Sequence, residues 1–524
     1  MIEQASRTKR LFCWLRAPLS GCAISRSLLV RGLALVYFVA VLSWWVQMQG
    51  LVGSDGLLPA ADYLEQVKSY ASNKGKSAFL LAPSVFLISS SDFVLHAACL
   101  LALVLAVMVA AGFLQGQGLA LLWLLYLSLV TTGGAFMSFQ WDMLLLEVGF
   151  LAIWLAPWKL KTSWRVPDPN VPRWSWWLVR WLLFRLMFFA GYVKLTSGDP
   201  SWWDGTAMLF HYETQPLPPW TAWWMQQLPD GFNQFTCWPM LVVELIFPFF
   251  IFMGKYPRLV AAIGISGLMM LIIATGNYTY FNGLTIVLCL PLVADQFWPS
   301  WFLKKIRMQQ PVQGVRSDLP KSGWVWSVMG LRGLVGVILL LLSLEVVAGQ
   351  LVDGKTLKKN PLPEWTSQLY SKLAPFRSMG AYGLFRVMTK QRPEIIFEGS
   401  RDGRRWEEYR LKYKPGKLDK RPRFVAPHQP RLDWQLWFAA LERQYHPQSR
   451  NAGWMNALML GLLQGSPQVL DFFEYQPFRD RPPKYVRAKL YLYEFTTMQE
   501  RRESGHWWKR KPRGLYFSEI RKRD

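Results

Sequence analysis

Nine ionisable side chains fall inside or at the edges of long apolar runs: Arg31, Asp142, Glu147, Arg180, Arg185, Lys194, Glu244, Arg332 and Glu345. Such groups cost a few kcal/mol each to insert into hydrocarbon, so they mark either function or tight pairing. At about 1.5 Å of helix rise per residue, Arg185 falls near mid-membrane and Lys194 near the outer end of the same helix. Asp142, Glu147 and Glu244 fall in the outer half of theirs. This predicts an intramembrane polar cluster of Asp142, Glu147, Arg185 and Glu244 beside Lys194. Two chemistries fit it. Structural pairs, for instance Glu147 with Arg185, would fix helix packing. Alternatively, a polar cavity would let Lys194, desolvated at the membrane edge, act as a base with the carboxylates as partners. The paired reading is preferred.

The connection between residues 196 and 236 is expected directly above that cluster. It supplies Asp199, Trp202, Asp204, His211, Tyr212, Glu213 and Gln215 as candidate client- or ligand-binding residues. Its aromatics, with Trp220, Trp223 and Trp224, suit rings held at headgroup level. Its length predicts an irregular connection that is functional or mobile. One histidine among scattered carboxylates lacks HxxxH, CxxC or HExxH spacing, so no metal is expected. Walker, GxGxxG and GxSxG patterns are absent, so a hydrolase triad has no support in the sequence. Asn277-Tyr278-Thr279 forms a glycosylation sequon, but at a span end where modification is not expected.

The elements that must position these groups are membrane spans. Of 524 residues, 52% are hydrophobic and only 18% charged, against about a quarter charged in an average soluble domain. With 29 Trp and five Cys, the chain is neither disordered nor a disulfide scaffold. Runs near the roughly 20 residues a spanning helix needs recur through the first 350 positions. They predict nine spans, near 28–49, 93–113, 119–136, 143–158, 176–195, 238–253, 259–276, 280–294 and 328–351. Basic residues then collect on one side: Arg7, Lys9, Arg10, Arg16 and Arg26; Lys159, Lys161, Arg165 and Arg173; Lys255 and Arg258; Lys304, Lys305, Arg307, Arg316 and Lys321. The positive-inside rule makes that side cytoplasmic. The 196–236 connection holds Asp199, Asp204, Glu213 and Asp230 without Lys or Arg, and falls outside together with the C-terminus.

The expected fold class is therefore a polytopic α-helical membrane protein with a C-terminal mixed α/β, β-rich soluble domain on the outer side. Residues 1–27 form a basic cytoplasmic tail, 28–351 the helical membrane domain and 352–524 the extracytoplasmic domain. That domain holds 35 Lys+Arg against 18 Asp+Glu, most of the chain's net +25. Beside membrane spans this charge reads as contact with anionic lipid headgroups or plain solvation, not nucleic acid. Residues 394–398 and 406–413 flanking a Gly-Ser-Arg-Asp-Gly turn predict a β-hairpin. Trp434, Trp437, Phe438 and Leu441 predict one face of a helix, with Asp433 as its N-cap. Residues 485–495 and 515–517 predict strands.

Two stretches carry a resemblance. Leu195–Trp202 followed by His211–Pro218 looks like the first signature of the lipase maturation factor family. Arg423–Gln435, with Pro427, His428, Gln429, Pro430, Arg431, Asp433 and Trp434, resembles its second. The resemblance covers roughly residues 28–517. It implies a membrane folding factor, without cofactor, whose partners are the bilayer and a client protein, a lipase in the animal family. It adds His428, Gln429, Arg431, Asp433 and Trp434 as contact candidates, although a role in locking the domain together is preferred. The location implied is the endoplasmic reticulum membrane if the source is eukaryotic. The Cys-poor, short-tailed chain suits a bacterial inner membrane if it is prokaryotic. Phe189–Leu195 with Trp203 and Gly205 also resembles the membrane core of the vitamin K-dependent γ-carboxylase, where the lysine matched by Lys194 acts in the chemistry. A membrane-embedded enzyme acting on a lipid-soluble substrate, with Lys194 as base, is therefore the alternative to a non-enzymatic maturation factor.

Overall fold

In a computed structural model, residue 19 and residues 21–163, 165–168, 171–305 and 323–522 are described. Helices stand at all nine expected positions: α1 Ala23–Val52, α2 Asp92–Ala111, α3 Gln115–Thr132, α4 Gln140–Leu155, α5 Arg173–Leu195, α6 Asp230–Leu245, α7 Lys255–Thr275, α8 Phe281–Cys289 and α9 Gly323–Asp353. Four of them, α1, α2, α7 and α9, contain stretches long and apolar enough to cross a bilayer by length and composition alone. The others fall short for visible reasons. α5 carries Arg173, Arg180, Arg185 and Lys194, α4 has 16 residues including Asp142 and Glu147, and α8 has nine. Charges of this kind are tolerable in a bundle only with partners inside it. The basic residues Arg7, Lys9, Arg10, Arg16, Arg307, Arg316 and Lys321, and the Arg332 side chain, lie outside the described residues.

α1 runs through the middle of the bundle, against α2, α3, α4 and α8, with Leu29, Leu33, Tyr37, Trp44 and Met48 buried along it. α6 holds Pro239 in its interior and stops at Leu245, after which Phe247–Phe250 makes one more turn. The helix passes through Pro239; the break falls just ahead of Pro248, which lacks the N–H that would bond back into the preceding turn. α5 and α6 approach closely at Gly191, where a Cβ would meet Leu245 Cγ at 2.7 Å.

The 196–236 connection differs from the irregular loop expected. It folds into short helices at Pro200–Trp203, Ala207–Thr214 and Trp220–Gln226, and its end is already α6. Local chemistry starts them. Asp199 caps the first by accepting from the Ser201 N–H at 3.0 Å, with Pro200 in the first turn. Asp204 accepts from the Thr206 N–H at 2.9 Å just ahead of the second.

After α9 come α10 (Glu364–Leu373), strands β1 Arg392–Ser400, β2 Glu407–Glu408, β3 Arg410–Leu411, β4 Phe473–Tyr475, β5 Tyr485–Phe495 and β6 Trp508–Arg521, and helices α11 Arg431–Leu441 and α12 Ala452–Gln464. The main sheet has the order β2-β1-β5-β6 and is antiparallel throughout. The 485–495 strand and the hairpin turn lie where expected, but the hairpin's second arm pairs with β1 only at Glu407–Glu408, and Arg410–Leu411 pairs instead with β4 in a separate two-stranded sheet. β6 is longer than its expected core because it pairs with β5 from Phe495↔Trp508 to Tyr485↔Arg521. α11 begins at Arg431, so Asp433 sits inside its first turn and is not the cap, which is Pro430. β1 is buried along its whole length. Ile395 and Phe397 join the core that includes Trp434 and Leu436 of α11, whereas Ile396 packs with Tyr212 and Trp223 of the 196–236 segment. The sheet is thus held between the two stretches that the sequence singled out.

Candidate functional site

The second stretch enters the helix bundle. Arg431, at the start of α11, places Nη1 2.6 Å from Asp142 Oδ2 and Nη2 2.9 Å from Asp142 Oδ1. Tyr126 of α3 and Tyr280 donate their hydroxyls to the same Asp142 Oδ1 at 2.6 and 2.7 Å. Arg431 Nη1 also donates to the Phe136 carbonyl at 2.9 Å. Arg431 and Asp142 are fully buried. A bidentate pair whose carboxylate takes two further hydrogen bonds is the arrangement that offsets the desolvation of both charges.

The neighbours of Arg431 are tied to α1. The Gln429 N–H donates to Ser43 Oγ at 2.8 Å, and the Arg431 N–H to Gln47 Oε1 at 2.8 Å. His428 Nδ1 lies 2.9 Å from the same Ser43 hydroxyl. Trp141 donates to Gln429 Oε1 at 2.6 Å, and Trp434 meets the Trp141 ring edge-on at 4.7 Å. Lys414 and Lys420, whose ammonium groups pair with Glu394 and Glu474, pull the Asp433 carboxyl down electrostatically, but burial pushes it up to about 6. Burial, with Arg431 nearby, pushes the His428 imidazole down to about 4.

The first stretch is clamped by the sheet. Arg392, at the start of β1, donates to the carbonyls of Glu213, Gln215 and Pro216 at 2.8, 2.5 and 3.0 Å. Glu213 accepts from the Phe495 N–H at 2.6 Å. Burial raises Glu213 to about 7, although that bond and Arg392 oppose the shift. Trp437 of α11 donates to the Thr214 carbonyl at 2.9 Å, so the helix that the second stretch begins touches the first stretch. His211 stacks on Tyr278 and meets Phe385 edge-on, and burial pushes its imidazole down to about 4. The Gln215 amide donates to the Thr275 carbonyl at 2.8 Å. Asp199 accepts the Met388 N–H at 2.7 Å, and Trp202 donates to the Arg386 carbonyl at 3.2 Å. Tyr212 is buried in the sheet's core, whereas Asp204 is spent on its local turn.

The intramembrane charges form separate pairs and not one cluster. Glu147 binds Arg185 and also accepts from the Tyr382 hydroxyl and the Gly380 N–H at 2.6 and 3.0 Å. Lys194, 5% exposed, reaches both oxygens of Glu244 at 2.7 Å and the Ala190 carbonyl at 3.2 Å. Asp142 and Glu147 are five positions apart on α4, about 140° around the helix, so they face different partners. The sequence reading missed Arg431 as the partner of Asp142, because a residue 289 positions away in a soluble-looking domain carries no local signal. It also passed over Arg392 and read Asn277 only as a sequon. The Asn277 amide donates to the Leu217 and Arg423 carbonyls at 2.9 and 2.8 Å and accepts from the Val425 and Ala426 N–H groups at 2.7 and 3.0 Å. This sequon asparagine is a rivet between the two stretches. Among the described residues, no group of three or more His, Cys, Asp or Glu could hold a metal ion.

These features define an integral membrane protein whose helical domain receives, through a buried bidentate ion pair, a strand-containing C-terminal region. Family models agree over both parts: the lipase maturation factor transmembrane domain matches residues 24–300, and the lipase maturation factor C-terminal domain matches residues 378–518. The chain is 34% identical to lipase maturation factor 2 of Gallus gallus over 94% of its length and 81% of the relative's. It is 33% identical to lipase maturation factor 2 of Homo sapiens, with 96% and 83% covered, and to lipase maturation factor 1 of Bos taurus, with 96% and 90% covered. No solved structure matches it. The chain belongs to the lipase maturation factor family.

Proposed function

We propose that this protein assists the folding of client proteins, lipases among them, at the outer face of the membrane that holds it. In this reading all nine helices cross the bilayer and residues 1–27 are cytoplasmic. Residues 352–524 lie outside, in the periplasm of a bacterium or the lumen of the endoplasmic reticulum. The observation that carries it is the insertion of Arg431 against Asp142. It fixes the C-terminal region to the bundle, so that a surface for a folding chain is held at the membrane where that chain emerges. Exposed apolar side chains of this region, Val387, Phe424, Leu460 and Leu515, are suited to transient hydrophobic contact. The basic surface would rest on anionic headgroups. The buried residues of the two stretches would support this surface from beneath, with Asp199, His211, Glu213, Gln429 and Asp433 as positioning residues.

The enzyme reading asks Lys194 to remove a proton. Its ammonium is instead bound by both Glu244 oxygens and lies 5.3 Å over the Trp202 ring, which favours a structural pair. The experiment is genetic. Cells lacking the protein should secrete lipase of lower specific activity at unchanged amount. Equal specific activity for every secreted lipase, with and without the protein, would contradict the proposal.

A further inference from the structure

A cavity of about 270 Å³ lies between α3, α4 and α9, under the turn that follows α10. Trp123 and Phe150 wall one side, and Leu339 and Leu342 the other. Tyr370 and Phe376 close the end nearest the C-terminal region. Apolar cavities exclude water and take hydrocarbon; one of about 150 Å³ in another protein binds benzene. Next to the cavity, Val337 and Leu340 of α9 are exposed, so it lies at the bilayer-facing surface. Trp123 is nine residues, or about 13.5 Å of rise, below the end of α3 at Thr132, which places the lining from mid-membrane up to the interface.

A cation stands at the interface end. Arg377 follows Phe376 and takes a left-handed φ of 51°. Its Nη1 lies 3.8 Å from Met143 Sδ. Met143 and Phe150 are seven apart on α4 and share a face, so Arg377 touches that face about 10.5 Å of helix rise beyond Phe150, while its neighbours Phe376 and Ser378 line the cavity itself. The titratable groups that bear on Arg377 are Tyr63 and Asp142, and the Asp142 carboxylate is already taken by Arg431. Among the described residues no carboxylate forms a salt bridge with it.

We propose that this cavity holds one acyl chain of a glycerophospholipid from the leaflet on the side of the C-terminal region, with the phosphate on Arg377. The planar guanidinium suits a phosphate, and the dry, aromatic cavity suits a hydrocarbon tail. Headgroup and tail would then be read together by one helix face and the turn that roofs it, giving a bound lipid instead of an annular one.

The probe is a phosphatidylglycerol carrying a diazirine midway along one acyl chain, in proteoliposomes with the full-length protein. After irradiation, adducts should appear at Phe150, Leu339 or Leu342 severalfold above those at Ile263 and Leu271, which are exposed on α7. Leu342→Trp, which fills the cavity, should remove most of these adducts and leave the α7 adducts unchanged. Arg377→Gln should weaken retention of the lipid roughly tenfold, the scale of one lost charge-assisted contact. The wild-type ratio alone decides the matter if Leu342→Trp does not fold. Cavity adducts no more frequent than α7 adducts would overturn the proposal, and retention unchanged in Arg377→Gln would overturn its phosphate contact.

Discussion

Arg431 and Asp142, 289 positions apart in the chain, form a bidentate ion pair with both side chains buried, at the point where the C-terminal region enters the helix bundle. Tyr126 and Tyr280 complete the carboxylate's hydrogen bonds. The pair joins the helical part of the chain to its strand-containing C-terminal part.

Removing one partner leaves the other charge buried and alone, which costs about 3–5 kcal/mol. Arg431→Met and Asp142→Leu should therefore each lower the melting temperature of the detergent-extracted protein sharply. The double variant should recover part of the loss, because Tyr126 and Tyr280, 2.8 Å apart, can still bond each other. A double-mutant cycle with no coupling would show the pair to be incidental.

Lys194 and Glu244 give a parallel test with a functional edge. As a structural pair, Lys194→Met should destabilise, and Lys194→Met with Glu244→Met should regain stability together with client maturation. Intact stability with maturation lost, and no rescue by the second change, would move Lys194 into the chemistry.

The pH dependence follows from Glu213, which burial raises from the ordinary 4.5 to about 7. A carboxyl whose folded value is raised stabilises below its unfolded value and loses that contribution as pH rises through the folded value. Glu213→Gln imitates the protonated form and should keep the Phe495 bond. Relative to wild type, it should gain stability as pH climbs from about 4.5 to about 7, by at most roughly 1.4 kcal/mol per unit, and level off above. Asp433, raised to about 6, should behave alike, whereas His428, lowered to about 4, acts with the opposite sign as pH falls. Parallel profiles for Glu213→Gln and wild type would refute the assignment.

For topology, a cysteine replacing the exposed Leu460 should react with a membrane-impermeant thiol reagent in whole cells, and one replacing Val312 should not. Among the described residues, Cys22, Cys99, Cys237 and Cys289 are buried and should give little background, and the fifth cysteine, Cys13, is replaced by Ser in both variants. The reverse labelling would invert the orientation.

The helices, the β1–β2 hairpin and the 485–495 strand were legible because hydrophobic period and turn chemistry are local properties. The intramembrane charges were legible as costly groups, and Glu147 with Arg185 as a pair, because both lie on neighbouring spans. The partner of Asp142 was not, since its guanidinium arrives from a region that composition marks as soluble. The helical form of residues 200–226 was hidden by the prolines and tryptophans, which read as an interfacial loop until the caps at Asp199 and Asp204 are seen. Asn277 was visible only as a sequon, because four hydrogen bonds to main-chain groups of two distant segments leave no pattern in sequence.

Pulse-chase photo-crosslinking in intact membranes, from a photoreactive residue at Leu460 or Leu515 to a newly made secreted lipase, bears most directly on the folding-factor reading. The lipase should be captured before it gains activity and should leave the adduct as activity appears. A lipase that matures normally, with no adduct at any time from either position, would contradict it.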